Sequence, residues 1–232
     1  MRNRRRRGVR YCVTAALASA GLAGFACKPA ETAFPESAPA VADATPVVLF
    51  LGTSLTAGFG LPAEQAFPAL IQERIDASDL AYRVVNAGVS GDTSAGGLRR
   101  VDWLVRLPIE VLVLELGAND MLRGLDVDDL RENLREIIDR IRAAYPETRL
   151  VIAGMRAARN LGPDYVRRFE AVYSQLAREY DAVLIPFALE GVAGVASLNQ
   201  ADGIHPTAEG HRKIAEMFWQ SLAPVLRGDA ER

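Results

Sequence analysis

Residues 46–60 read P-V-V-L-F-L-G-T-S-L-T-A-G-F-G. The apolar run is continuous rather than alternating, which suits a strand buried on both faces, as in a parallel sheet covered by helices. It stops at Gly52 and opens into a loop that holds Ser54. Serine is an ordinary helix cap, so Ser54 alone reads equally as the start of a helix or as a nucleophile at the end of a buried strand.

Four more runs of this kind follow: Y-R-V-V-N-A-G (82–88), I-E-V-L-V-L-E-L-G (109–117), R-L-V-I-A-G-M (149–155) and A-V-L-I-P-F (182–187). Helical stretches are expected between them, over 63–76, 94–105, 127–144, 164–179 and 206–226. In the clearest of these, Leu130, Leu134, Ile137, Ile138 and Ile141 fall at helical spacing with charges facing the other way, and Pro146 follows as a stop. Strand and helix in alternation give an α/β fold: a three-layer α/β/α sandwich on a five-stranded parallel sheet, joined by right-handed crossovers. In such sheets the site lies at the carboxyl ends of the strands.

Length and composition agree with one domain. The chain has 232 residues, is 50% hydrophobic and 24% charged, and carries no long low-complexity tract. Six arginines and no acid stand in the first ten residues, and Tyr11 to Ala26 carry no charge. This is the pattern of an export signal over 1–26, too short for the roughly 20 apolar residues that span a bilayer. Both cysteines, Cys12 and Cys27, lie in or beside that leader, so the domain behind it has no disulfide. Cys27 follows G-F-A in a loose likeness of a lipoprotein box, with Gly24 where an aliphatic residue would be expected. The product is therefore expected outside the cytoplasm, either free in the periplasm or lipid-anchored to the bacterial envelope.

Residues 27–45, rich in Pro, Ala and acids, read as a tether, and the folded domain as 46–228. Removing the leader leaves 21 of the 27 basic residues against all 29 acidic ones, a net charge of −8 with His neutral. That sign argues against nucleic acid or an anionic membrane surface as partner. A monomer acting on a small molecule is expected.

Four segments would meet at the strand ends: G-T-S-L, N-A-G-V-S-G-D-T-S, L-G-A-N-D and A-D-G-I-H-P. A serine nucleophile needs a base, and there are only two histidines. His211 lies within the last helical pattern and reads as a surface or interhelical residue. His205 follows Asp202 by three residues in a Gly-containing turn, so the carboxylate could fold back on Nδ1 and leave Nε2 free for a hydroxyl. Taken alone, D-G-I-H-P is equally a turn and a helix start, with Pro206 suited to the first helical turn.

Donors for an oxyanion could come from the N–H of Gly91, the amide of Asn119 and the N–H of Ser54. Asp92 and Asp120 are expected to tie their loops by accepting backbone hydrogen bonds. There is no metal site to be read here, since one plausible imidazole among Asp92, Asp120 and Asp202 is a poor transition-metal ligand set. Neither a G-x-S-x-G elbow nor a phosphate-binding G-x-x-x-x-G-K-[ST] loop is present.

These four blocks, in this order across residues 46–226, resemble the GDSL or SGNH hydrolase family. The likeness is greatest to its branch of bacterial periplasmic esterases of the thioesterase I, lysophospholipase L1 and arylesterase types. The resemblance implies a flavodoxin-like sandwich, no cofactor, and roles carried over by position: Ser54 as nucleophile, His205 as base, Asp202 as its orienting acid, and Ser54, Gly91 and Asn119 as the oxyanion hole. One position departs from the family signature, which usually has Asp where Thr53 precedes the serine.

The expected reaction is hydrolysis of carboxylic esters, among them aryl esters, lysophospholipids and acyl thioesters. The alternatives are a carbohydrate O-acetyl esterase and a catalytically silent lipid- or glycan-binding module of the same fold. Candidates for the apolar side of the substrate site are Leu55, Phe59, Leu61, Met121, Leu122 and Ile204. The connections look short, which predicts an open site with no segment long enough to act as a lid.

Overall fold

The structure, a computed structural model, describes residues 45–229. The expected export signal, Cys27 and the tether up to residue 44 lie outside the described residues. Five parallel strands form one sheet: β1 (Val47–Gly52), β2 (Arg83–Gly88), β3 (Ile109–Glu115), β4 (Arg149–Ala153) and β5 (Val183–Ile185), in the order β2-β1-β3-β4-β5. Every residue of β1 is buried, and so is all of β3 except Glu110. That is why these two central strands read as unbroken apolar runs, whereas β2 at the edge carries Arg83 and the exposed Asn86.

Among the described residues, seven helices surround the sheet. After β1 come the short α1 (Ser54–Ala57) and α2 (Phe67–Asp76); α3 (Ser94–Leu104) follows β2; α4 (Ala118–Leu122) and α5 (Val127–Ala144) follow β3. The last two, α6 (Pro163–Glu179) and α7 (Ala208–Arg227), flank β5 in sequence. α3 packs on α5 and α5 on α6, while α2 packs on α7, so the sheet lies between two helical layers. The periodicity of α5 works as the sequence implies: Leu134, Ile137, Ile138 and Ile141 are fully buried, and each such side chain stabilises the fold by about 1.5–3 kcal/mol. Asp126 caps the helix by accepting the N–H of Asp128 at 2.8 Å.

Two expectations differ from what forms. Pro206 does not open the last helix; Thr207 is its N-cap, accepting the N–H of Gly210 at 3.3 Å, and Pro206 pairs with Asn199 in an isolated antiparallel bridge. The connection from β5 to α7 is not short either. Residues 186–207 contain, besides that bridge, only the 3₁₀ turn Ala196–Leu198, and this long segment forms one wall of the site.

The strand order puts β1 between β2 and β3, so the chain's crossovers leave in opposite directions on either side of β1. A crevice opens at the carboxyl ends of strands where that reversal occurs. Ser54 follows β1 by two residues, and Asn119 follows β3 by four.

Candidate active site

Ser54 is not the cap of its helix. Thr53 is, with its hydroxyl accepting the N–H of Leu55 at 3.5 Å, and Ser54 takes the first helical position with its own hydroxyl free for another partner. That partner is His205: Nε2 lies 3.0 Å from Ser54 Oγ, across 151 residues of sequence. On the other side of the ring, Nδ1 lies 2.7 Å from Asp202 Oδ2. Asp202 Oδ1 also accepts the N–H groups of Ile204 at 2.9 Å and His205 at 3.0 Å.

The hydrogen bond from His205, then the two backbone donors, hold the Asp202 carboxyl down at about 2. An ionised carboxylate only accepts, so Nδ1 must carry the proton of that bond and Nε2 is left as the acceptor facing the Ser54 hydroxyl. The three side chains thus form a directed relay from hydroxyl to imidazole to carboxylate.

The expected oxyanion donors gather beside it. Ser54, Gly91 and Asn119 all line one cavity of about 330 Å³, together with His205. Gly91 has φ +82°, in the left-handed region, so a side chain there would strain the turn that presents its N–H. The Asn119 amide is held in place by donating to the Asp92 carbonyl at 2.8 Å, which leaves its second N–H unspent. Asp120, buried beneath, accepts the N–H of Ser94 at 2.9 Å and its hydroxyl at 2.6 Å, and so ties α4 to the start of α3. Asp92 behaves otherwise than expected: it accepts no backbone bond but pairs with Arg100 at 2.9 Å. Among the described residues no group of three or more His, Cys, Asp and Glu side chains is placed to share a metal ion.

The rest of the cavity is mostly apolar. Leu55, Phe59, Met121, Leu122 and Ile204 line it as the sequence suggests, and Leu61 does not. Phe59 lies against the His205 ring, with 4.4 Å between ring centres. Leu55 is nearly buried and also packs into the core, while Phe59, Leu122 and Ile204 are 47%, 59% and 52% exposed and form the open mouth. Four lining residues lie outside the site segments the sequence points to: Met155 and Arg156 beyond β4, and Phe187 and Leu189 beyond β5. Arg156 lies over the Phe187 ring at 4.4 Å and pairs with Glu190 at 3.0 Å. Their position just past two strand ends was the one available signal.

Glu115, the last residue of β3, was also missed. It is buried under the serine loop and bonded to both Thr53 and Thr56. Burial pushes its carboxyl up, against the lowering effect of those bonds. His211 is interhelical and wholly buried, not a surface residue. Its Nδ1 accepts the N–H of Phe67 at 3.2 Å, at the start of α2, and burial lowers its pKa to about 4.

Named proteins resemble this chain over most of its length. Esterase TesA of Pseudomonas aeruginosa is 40% identical to this chain over 184 residues, covering 79% of the chain and 90% of that protein. Thioesterase 1/protease 1/lysophospholipase L1 of Escherichia coli K12 is 38% identical over 191 residues, covering 82% and 89%. Among solved structures, the psychrotrophic esterase EstA of Pseudoalteromonas, inhibited by monoethylphosphonate, superposes with a TM-score of 0.73 at 31% identity, covering 79% of this chain and 99% of that one. The sequence model of the GDSL-like lipase/acylhydrolase family matches residues 50–213, a span that runs from β1 through the serine, glycine, asparagine and histidine segments into α7. The chain belongs to the GDSL-like lipase/acylhydrolase family.

Proposed function

We propose that this protein hydrolyses carboxylic esters through an acyl-enzyme on Ser54. Its relatives are named esterase, arylesterase and thioesterase/lysophospholipase, and it is a carboxylic ester hydrolase like them. One observation carries the assignment of roles: Ser54 Oγ lies 3.0 Å from an imidazole whose other nitrogen is held at 2.7 Å by an ionised carboxylate, at the wall of an apolar cavity.

In the first step Ser54 Oγ attacks the carbonyl carbon while His205 Nε2 takes the hydroxyl proton. The negative charge passes to the carbonyl oxygen, which rests among the N–H groups of Ser54 and Gly91 and the amide of Asn119. The tetrahedral intermediate collapses as the imidazolium gives its proton to the leaving alcohol, phenol or thiol. In the second step His205 removes a proton from water, whose oxygen attacks the acyl carbon; the bond to Ser54 Oγ breaks, the imidazolium returns the proton to Oγ, and the acid is freed. Asp202 keeps the ring in its working tautomer and offsets the imidazolium charge.

The mostly apolar lining and the exposed Phe59, Leu122 and Ile204 favour an acyl or aryl group over a sugar, since beyond the catalytic set only a few polar side chains, Ser90 and Arg156 among them, could meet sugar hydroxyls. Aryl esters, lysophospholipids and acyl thioesters all present such a group. The arginine-led apolar leader supports export, with the enzyme acting in the cell envelope.

The test is a panel of p-nitrophenyl esters and lysophospholipid run on wild type and Ser54→Ala, with fluorophosphonate labelling in parallel. Ser54→Ala should lose on the order of 10⁴–10⁶ in kcat, keep its fold and take no label. Equal activity in the two proteins would refute the assignment.

A further inference from the structure

A carboxyl group inside a sheet is costly unless its oxygens are fully satisfied. Glu115, 1% exposed, is satisfied entirely by the loop that carries Ser54. Oε2 accepts the N–H of Thr53 at 3.0 Å, the N–H of Thr56 at 3.3 Å and the Thr56 hydroxyl at 2.7 Å. The Thr53 hydroxyl lies 3.0 Å from Oε1 and 3.1 Å from Oε2. These donors flank Ser54 on both sides in sequence. Gly52 makes the grip possible: a Cβ there would fall 2.0 Å from Thr56 Oγ1 and 2.6 Å from Glu115 Oε2.

Taking Ser54 as the nucleophile, we propose that Glu115 is a positioning residue that clamps the serine loop from below, and that Thr53 is the side chain matched to it. The match lies in the protons. Two hydroxyls and two N–H groups all donate, so the carboxyl can be held without a proton of its own. An aspartate at 53, the usual residue in this family, would set a second carboxyl against Glu115. The pair could then stay together only by sharing one proton. With threonine the clamp needs no shared proton, and the serine loop keeps its shape as the pH rises.

No charged side chain is bonded to Glu115 from β1 or α1. From α6, Tyr173 feels its charge. That phenol is buried, donates to the Leu116 carbonyl at 3.1 Å and is held well above its ordinary range, so it stays protonated alongside.

The experiment compares wild type, Thr53→Asp, Glu115→Gln and the double variant by kcat, KM and fluorophosphonate labelling of Ser54 from neutral to alkaline pH, with thermal unfolding as a check on folding. Glu115→Gln keeps the shape and its oxygen can still accept, so kcat should fall about three- to tenfold with KM unchanged. Thr53→Asp should lose at least roughly tenfold in labelling rate at alkaline pH relative to its neutral value, because the shared proton departs. The double variant should regain most of that loss, since an amide can donate to the new carboxylate without a proton to lose.

A Thr53→Asp profile parallel to wild type would overturn the proposal, as would a double variant no better than the single one or full kcat in Glu115→Gln. A variant that fails to unfold cooperatively is replaced by Thr53→Val. That change removes one hydroxyl donor and should lower kcat about tenfold at unchanged KM; unaltered kcat would count against the clamp. Absence of label at Ser54 in the wild type would instead refute the nucleophile assignment itself.

Discussion

Replacing Asn119 by alanine isolates one of the three donors assigned to the oxyanion. The other two are backbone N–H groups of Ser54 and Gly91, which side-chain truncation does not remove. The loss of one preorganised donor costs about 10²–10³ in kcat, or roughly 2.7–4 kcal/mol of transition-state stabilisation. Here the lower end is expected, because the mouth is open, with Leu122 59% exposed, and water can partly take the donor's place. The same change deletes the bond from the amide to the Asp92 carbonyl at 2.8 Å, worth about 0.5–1.5 kcal/mol of folding stability. Catalysis should therefore suffer well beyond stability.

Steady-state kcat and KM on a short aryl ester, with urea unfolding alongside, separate the two effects. Asn119→Asp sharpens the test: it is the same size, but an ionised aspartate donates nothing and sets negative charge beside the developing oxyanion, so it should fall below alanine. A normal kcat with a raised KM in Asn119→Ala would show a substrate-binding role instead. An aspartate variant more active than the alanine one would refute the donor assignment outright.

Two further outcomes follow from other parts of the molecule. His211 has its pKa lowered by burial from an ordinary 6.5 to about 4, so between those values the unfolded chain binds a proton that the folded one does not. Its contribution is whole above about pH 6.5 and is lost as pH falls through 4, about 3 kcal/mol in all. Urea midpoints at pH 4 and pH 7 should show this slope in wild type and a smaller one in His211→Asn. At the mouth, Leu122→Ser should lower kcat/KM several-fold for octanoyl esters and leave acetyl esters nearly unchanged, as a change in apolar contact area requires. Equal losses on both chain lengths would place the acyl group elsewhere.

The sheet and its long helices were legible because burial on two faces leaves a plain trace. β1 and β3 are nearly uniform apolar runs, and α5 repeats its apolar residues at helical spacing. The relay was legible because Asp202 and His205 are three residues apart and only two histidines compete for the role. What escaped had no local pattern. α1 and α4, at four and five residues, are shorter than any periodic signal. Met155, Arg156, Phe187 and Leu189 reach the cavity through tertiary placement, and nothing in their neighbours marks them. Residues 186–207 passed for ordinary short connections, although they build a wall. Glu115 stood out as the acid closing an apolar run, but its partners lie about sixty residues earlier, and only the register of β1 beside β3 brings them together: Gly52 sits opposite Glu115.

The bond between Ser54 and His205 spans 151 residues, nearly the whole described domain. A growing chain can lay down all five strands and still lack its base, because residue 205 comes after the last of them. α7, which follows directly, must then dock on α2, where His211 receives the N–H of Phe67. Esterase activity is therefore an assembly signal. Under the proposed roles it requires that the two ends of the domain have met, so its recovery on refolding should report that long-range contact.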